Sequence, residues 1–113
     1  MIQYIKAAKV SDFSHRKFKC IRFLTKTIAV IKDKDSFYAI EADCKHQNAN
    51  LLSRGMNSEI VTCPRHGWQY NMKTGECLTH NWAGLRKHPL KIEDGTIFVG
   101  SKPIEAEIEE DIY

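Results

Sequence analysis

The chain has 113 residues, of which 42% are hydrophobic and 27% charged, so it has the size and composition of one globular domain and is not disordered throughout. Its longest apolar run, residues 27–31, is far shorter than the roughly 20 residues of a membrane span, and residues 1–10 lack the features of a secretory signal, so we expect a cytoplasmic protein without membrane association. The net charge is +3, and nine Lys and Arg lie among residues 1–34. These cations alternate with strand-like apolar residues, and neither a recognition helix nor an RNA-binding signature accompanies them. We therefore expect no nucleic-acid partner.

Short runs rich in β-branched and aromatic residues, separated by turn residues, predict β-strands along the whole chain. The predicted strands cover residues 2–10, 18–24, 27–33, 36–43, 59–63 and 68–72, and a turn or single helical turn covers 11–17. A hairpin follows over 89–100, with Asp94-Gly95 as its turn. We therefore predict one all-β domain over 1–113, a small sandwich or barrel of eight to ten strands. The acidic tail, 102–113, is expected to wrap the surface, fray or pair as an edge strand.

Two turn-rich segments each carry one cysteine and one histidine. Cys44 and His46 form a C-x-H pair, Cys63 and His66 form a C-x-x-H pair, and sixteen residues separate His46 from Cys63. Two thiolates and two imidazoles suit tetrahedral zinc, although zinc fingers usually group the cysteines together and the histidines together. The mixed pairing favours a binuclear centre with chemically different ends. That is the ligand set of a 2Fe–2S cluster in which two histidines hold one iron and two cysteines the other.

The residues that flank the second pair favour the same interpretation. Pro64 stiffens the loop directly after its cysteine. Gly67 has no side chain to crowd a cluster that the backbone approaches closely. Backbone N–H groups in such loops can point at the sulfides of a cluster.

The motifs C-K-H-Q, C-P-R-H-G-W-Q-Y and K-T-G-E resemble those of the Rieske proteins, and the likeness extends over about residues 1–100. The resemblance implies stacked antiparallel sheets with a small cluster-binding subdomain, formed by loops at about 43–50 and 62–70. It implies one Rieske-type 2Fe–2S cluster, held by Cys44, His46, Cys63 and His66.

Departures from the family pattern indicate which branch the chain resembles. Respiratory and photosynthetic members have an extra cysteine in each loop, whereas here Cys20 and Cys77 lie outside both loops. High-potential members have a serine where this chain has Trp68, although Tyr70 matches a tyrosine that can bond a ligand sulfur. Losing a donor to sulfur disfavours the reduced cluster, so we predict a potential in the lower part of the Rieske range, roughly −150 to 0 mV.

The chain therefore resembles a soluble ferredoxin of oxygenase systems. The resemblance implies a monomer that takes one electron from a reductase and passes it to a terminal oxygenase or similar enzyme. We expect an electron-transfer component rather than a catalyst by itself. Lys45, Arg54 and Arg65, in or near the loops, favour transient docking on an acidic partner surface.

Three alternatives remain open at this point. The chain resembles, less closely, the small subunit of a nitrite reductase, some members of which have lost the cluster. It also resembles the N-terminal Rieske domain of ring-hydroxylating or sialic-acid hydroxylase-type oxygenases, but residues for a mononuclear iron site are missing. The third alternative is a structural zinc module. The remaining cysteines and histidines are expected to be structural: a buried Cys20, a half-buried Cys77, and surface or loop positions for His15, His80 and His88.

Overall fold

The computed structural model describes residues 3–23, 25–45, 49–65, 67–80 and 82–104. Within these ranges the chain forms nine strands and one 3₁₀ turn, Val10–Phe13. The strands are β1 (Tyr4–Lys9), β2 (Phe18–Phe23), β3 (Lys26–Asp33), β4 (Ser36–Glu41), β5 (Ile60–Thr62), β6 (Gln69–Asn71), β7 (Lys87–His88), β8 (Leu90–Glu93) and β9 (Thr96–Gly100). The predictions of an all-β fold and of eight to ten strands are confirmed.

The strands form three antiparallel sheets. A four-stranded sheet has the order β2-β3-β4-β7, a three-stranded sheet has the order β1-β9-β8, and β5 and β6 pair as a separate hairpin. The four-stranded sheet lies between the other two units, because its two faces belong to two different hydrophobic cores.

The two faces of β3 show how the sequence builds these cores. Successive side chains of a strand point to opposite faces. Ile28 and Val30 pack in the core shared with the three-stranded sheet. Ala29 and Ile31 pack in the core shared with the β5–β6 hairpin. Burial on both faces explains why residues 27–31 form a continuous apolar run rather than an alternating one.

The hairpin predicted over 89–100 forms, and its turn has the backbone that the sequence indicates. Asp94 and Gly95 have φ values of 50° and 77°, both in the left-handed region that a tight two-residue turn requires. The hairpin completes the three-stranded sheet, because β9 pairs with β8 on one side and with β1 on the other.

Strand β7 was missed by sequence reasoning because two residues are too few to show an alternating pattern. It pairs with β4 through Ala39 and Ile40. His88, expected on the surface or in a loop, is instead buried in this strand, and its Nδ1 donates to the Gly100 carbonyl at 2.8 Å. Burial lowers the pKa of His88.

Within the described ranges, no helix has the length and apolar character needed to cross a membrane.

Candidate metal centre

The first predicted ligand loop follows β4. Cys44 is fully buried, and its N–H donates to the Ala49 carbonyl at 2.8 Å. A β-bridge between Asp43 and Asn50 closes the base of the loop. Strand β4 therefore leads directly to a thiol that is fixed inside the protein.

The second predicted ligand loop connects β5 and β6. Cys63 is 2% exposed, its N–H donates to the Trp68 carbonyl at 2.7 Å, and its own carbonyl accepts from Gly67 N–H at 3.0 Å. Gly67 has a φ of 77°, and among the described atoms a Cβ at that position would meet nothing within 4 Å. The left-handed backbone by itself favours glycine at this position.

The two thiols belong to one hydrophobic core, which also contains Tyr70. All four cysteines of the chain lie within the described ranges, and none of them forms a disulfide. Two buried, unoxidised thiols on two facing loops fit the sulfur half of a 2Fe–2S site. His46 and His66 lie outside the described residues, and within the described part of the chain no three metal-binding side chains come together.

Tyr70 connects the first loop to the hairpin. It is fully buried on β6. Its Oη lies 3.5 Å from Cys44 Sγ and accepts from the Lys45 N–H at 3.1 Å. A backbone N–H can only donate, so the hydroxyl proton is free to point at the sulfur, and a Cys44 thiolate can only accept it. Burial raises the pKa of Tyr70, which keeps this donor protonated.

Several backbone N–H groups of the two loops are engaged within the protein. The N–H groups of Cys44, Cys63 and Gly67 donate to loop carbonyls, and that of Lys45 donates to Tyr70. These bonds shape the loops. The Tyr70 hydroxyl is a donor within reach of the Cys44 sulfur.

Lys45, expected as a docking cation, is engaged in an ion pair. Its Nζ lies 2.9 Å from Glu41 Oε1, and Lys26 Nζ lies 3.2 Å from Glu41 Oε2. Glu41 also accepts from Arg86 N–H at 2.9 Å. Burial alone would raise the pKa of Glu41, but the hydrogen bonds from Lys45 and Arg86 outweigh it, and the pKa lies below its usual range. Sequence reasoning missed Glu41, although a carboxylate at the end of an apolar strand is an available signal.

Trp68 packs partly buried against the same core and stacks on the His80 ring, with the ring centroids 3.7 Å apart. Trp82 meets Trp68 edge-on at 5.6 Å and is 70% exposed. The second loop is thus supported by residues ten or more positions further along the chain. Sequence reasoning did not connect His80 or Trp82 with the site, because nothing local indicates that this segment returns to the loop.

Three other predicted residues differ in their exposure. Pro64 follows Cys63 and is half-buried, while Arg54 and Arg65 are exposed. The two arginines present their charge to solvent near the loops, whereas Lys45 shares its charge with Glu41.

Residues 3–89 match the profile of the Rieske [2Fe-2S] domain. This match covers most of the chain, so the protein belongs to the Rieske [2Fe-2S] domain family. The family carries a Rieske-type 2Fe–2S cluster, which is the cofactor that the two buried thiols fit.

Two relatives are named as electron-transfer components. The chain is 30% identical to ferredoxin CarAc of Metapseudomonas resinovorans over 101 residues, which is 88% of this chain and 94% of that protein. It is 24% identical over 107 residues to the ferredoxin component of the alkene monooxygenase system of Xanthobacter autotrophicus, covering 94% of this chain and 88% of that one. Both of these homologues are thus named as ferredoxins, and the second is named as a component of an oxygenase system.

Solved structures support the fold. A chain in a complex of reduced oxygenase and oxidized ferredoxin of carbazole 1,9a-dioxygenase superposes with a TM-score of 0.75 at 23% identity, covering 89% of this chain and 95% of that one. A structure titled as a nitrite reductase small subunit from Mycobacterium tuberculosis has a TM-score of 0.70 at 16% identity, covering 92% and 99%. At these identities the likeness establishes the architecture. It does not distinguish an oxygenase ferredoxin from a nitrite reductase small subunit.

Proposed function

We propose that this chain is a ferredoxin that carries one electron from a reductase to a terminal oxygenase or a similar oxidoreductase. The observation that carries the proposal is that Cys44 and Cys63 are buried together in one core of a Rieske-family fold. Relatives named as oxygenase ferredoxins, matched over most of their own length, support the direction of transfer.

The proposed ligands are Cys44 and Cys63 for one iron and His46 and His66 for the other. When bound, the cluster supplies a one-electron redox couple. The chain's own residues shape the site: the buried core around the two thiols excludes water, and Tyr70 donates to Cys44. Pro64, Gly67 and Trp68 fix the second loop. The ligand loops fall at about 43–50 and 62–70 of one domain spanning 1–113, with the acidic tail at 102–113.

The proposed partner surface is acidic. Arg54 and Arg65 are exposed near the loops and supply positive charge for a transient encounter, in which complementary charge mainly accelerates association. Lys45 is ion-paired with Glu41, which Lys26 also contacts, so it is less available to a partner than the two arginines. We propose a monomer that acts in the cytoplasm, where cysteines stay outside disulfides.

The ligand assignment is tested by comparing matched variants prepared anaerobically with sufficient iron. His46→Ala and Cys63→Ser should lose the visible absorption and the paramagnetic signal that appears on dithionite reduction. His15→Ala and Cys20→Ser change the same residue types outside the loops and should keep both. A colourless wild-type protein containing zinc, or a His46→Ala variant with an unchanged spectrum, contradicts the proposal.

A further inference from the structure

A cationic groove lies where the four-stranded sheet meets the β5–β6 hairpin, away from the two ligand loops. Its volume is about 380 Å³. One wall consists of residues around the start of β2 and the end of β3, and the other consists of residues 56–59 and 73. Five cationic side chains line it: Arg16, Lys17, Lys32, Lys34 and Lys73.

The acidic side chains lining the groove do not neutralise it. These are Asp33 and Glu59, and Asp33 is already engaged by Lys73, with 3.1 Å between the charged atoms. Tyr38 lines the same groove, and burial, followed by the nearby charges of Asp33 and Glu59, raises its pKa to about 12. The groove is therefore net positive and partly shielded from water, where a charge interaction is stronger than on an open surface.

The described chain ends at the β7 edge of the four-stranded sheet, one strand away from Tyr38 of the groove lining. Ile104 N–H donates to the Lys87 carbonyl at 2.7 Å. Lys87 Nζ lies 5.9 Å from the centroid of the Tyr38 ring, which belongs to the groove lining. In the four-stranded sheet, β7 is separated from β2 by three strand spacings of roughly 5 Å each.

The next nine residues have the opposite charge. Residues 105–113 contain five carboxylates, at positions 105, 107, 109, 110 and 111, and no Lys or Arg. Nine residues reach about 30 Å when extended, which is about twice the distance across the sheet. Length and attachment point therefore both allow this segment to reach every cation of the groove.

We propose that the acidic segment 105–113 binds the cationic groove of its own chain. Covalent attachment gives the segment an effective concentration on the order of millimolar, so a weak, salt-sensitive contact is enough to keep the groove occupied. The bound segment connects the four-stranded sheet to the β5–β6 hairpin that carries Cys63. It also neutralises the groove, and the exposed arginines near the ligand loops remain available to a partner. This inference does not depend on the proposed redox function.

The test uses the whole chain, a chain that ends at Ile104, and a fluorescent synthetic peptide of residues 105–113. At low salt the peptide should bind the shortened chain saturably, as measured by fluorescence anisotropy. Its affinity for the whole chain should be at least about tenfold lower, equivalent to about 1.4 kcal/mol, because the attached segment competes. A peptide with amides in place of its five acids should not bind.

Charge reversal locates the site. Lys32→Glu with Lys34→Glu in the shortened chain should lower the peptide affinity at least about tenfold. The control is Lys6→Glu with Lys9→Glu, which makes an equal charge change on exposed positions of β1 and should change the peptide affinity less than about twofold. The visible spectrum checks that both double variants fold with their cluster. The proposal would be overturned if the whole and shortened chains bound the peptide equally well. It would also be overturned if the two double variants lost equal amounts of peptide affinity. Displacement of the peptide by inorganic phosphate but not by chloride at the same ionic strength would overturn it too, because the groove would then be a small-anion site.

Discussion

At the scale of single residues, Tyr70 is the side chain that most directly modifies the proposed centre. Its hydroxyl oxygen accepts from the Lys45 N–H at 3.1 Å, and its position 3.5 Å from Cys44 Sγ lets it donate to a thiolate. The bond stabilises negative charge on sulfur, and reduction of a cluster adds negative charge. The interaction is therefore stronger in the reduced state than in the oxidised one.

We expect Tyr70→Phe to lower the reduction potential by up to about 40 mV. A hydrogen bond of about 1 kcal/mol that formed entirely on reduction would give that shift for a one-electron couple, and only the part of the bond gained on reduction counts. A redox titration followed by visible absorption measures it. Tyr38→Phe removes the hydroxyl of a tyrosine that lies in the groove instead of the centre and should leave the potential unchanged. Equal potentials in wild type and Tyr70→Phe would show that the hydroxyl does not donate to the ligand sulfur.

At the scale of elements, the segment after β6 holds the ligand-bearing hairpin against the rest of the fold. Gly75 N–H donates to the Asn71 carbonyl, and Leu85 N–H donates to the Gly75 carbonyl, both at 2.7 Å. Gly75 has a φ of 87°, and a Cβ there would overlap the Leu85 carbonyl oxygen. The close approach of these two backbone segments therefore requires glycine.

Gly75→Ala should destabilise the protein more than Gly55→Ala does. Both glycines have a positive φ, near 87–89°, so both substitutions cost about 1–2 kcal/mol of backbone strain. At Gly55, however, a Cβ would meet no described atom within 4 Å. Urea unfolding measures the free energy of unfolding of the two variants. Equal losses would mean that the backbone near Leu85 moves to accommodate the Cβ at little energetic cost.

At the scale of the whole molecule, the chain divides its hydrophobic residues between two cores on opposite faces of one sheet. Cys44, Cys63 and Tyr70 belong to the core on the hairpin side. The core on the other side, which includes Phe13 and Ile97, contains neither of the two proposed sulfur ligands. Loss of the metal should therefore act on one half of the molecule first, because metal-binding free energy stabilises the structure around its ligands.

Removal of iron by chelation under reducing conditions should increase amide exchange in β5, β6 and the segment 67–80. Amides of β1, β8 and β9 should keep most of their protection, because local opening follows the contacts that are lost. Hydrogen–deuterium exchange with mass spectrometry measures both groups in the same sample. Uniform loss of protection across all strands would mean that the two cores unfold as one unit.

Most of the architecture followed from local signals. Alternating and continuous apolar runs located all strands except β7, and Asp94-Gly95 fixed the turn of the last hairpin. The mixed C-x-H and C-x-x-H spacing selected the cluster type, and the family match agrees with it. Side-chain periodicity and turn chemistry are properties of neighbouring residues, so they can be inferred from the sequence alone.

Contacts between distant segments were decided only by the tertiary structure. Glu41 pairs with both Lys45 and Lys26, His80 stacks on Trp68, and Gly67 has a left-handed backbone. The sequence by itself determined the strands, the family and the candidate ligands, because these depend on residue types at short spacing. The tertiary structure determined which charges are paired, which thiols are buried and where cationic side chains line a groove, because pairing and burial depend on how the three sheets pack together.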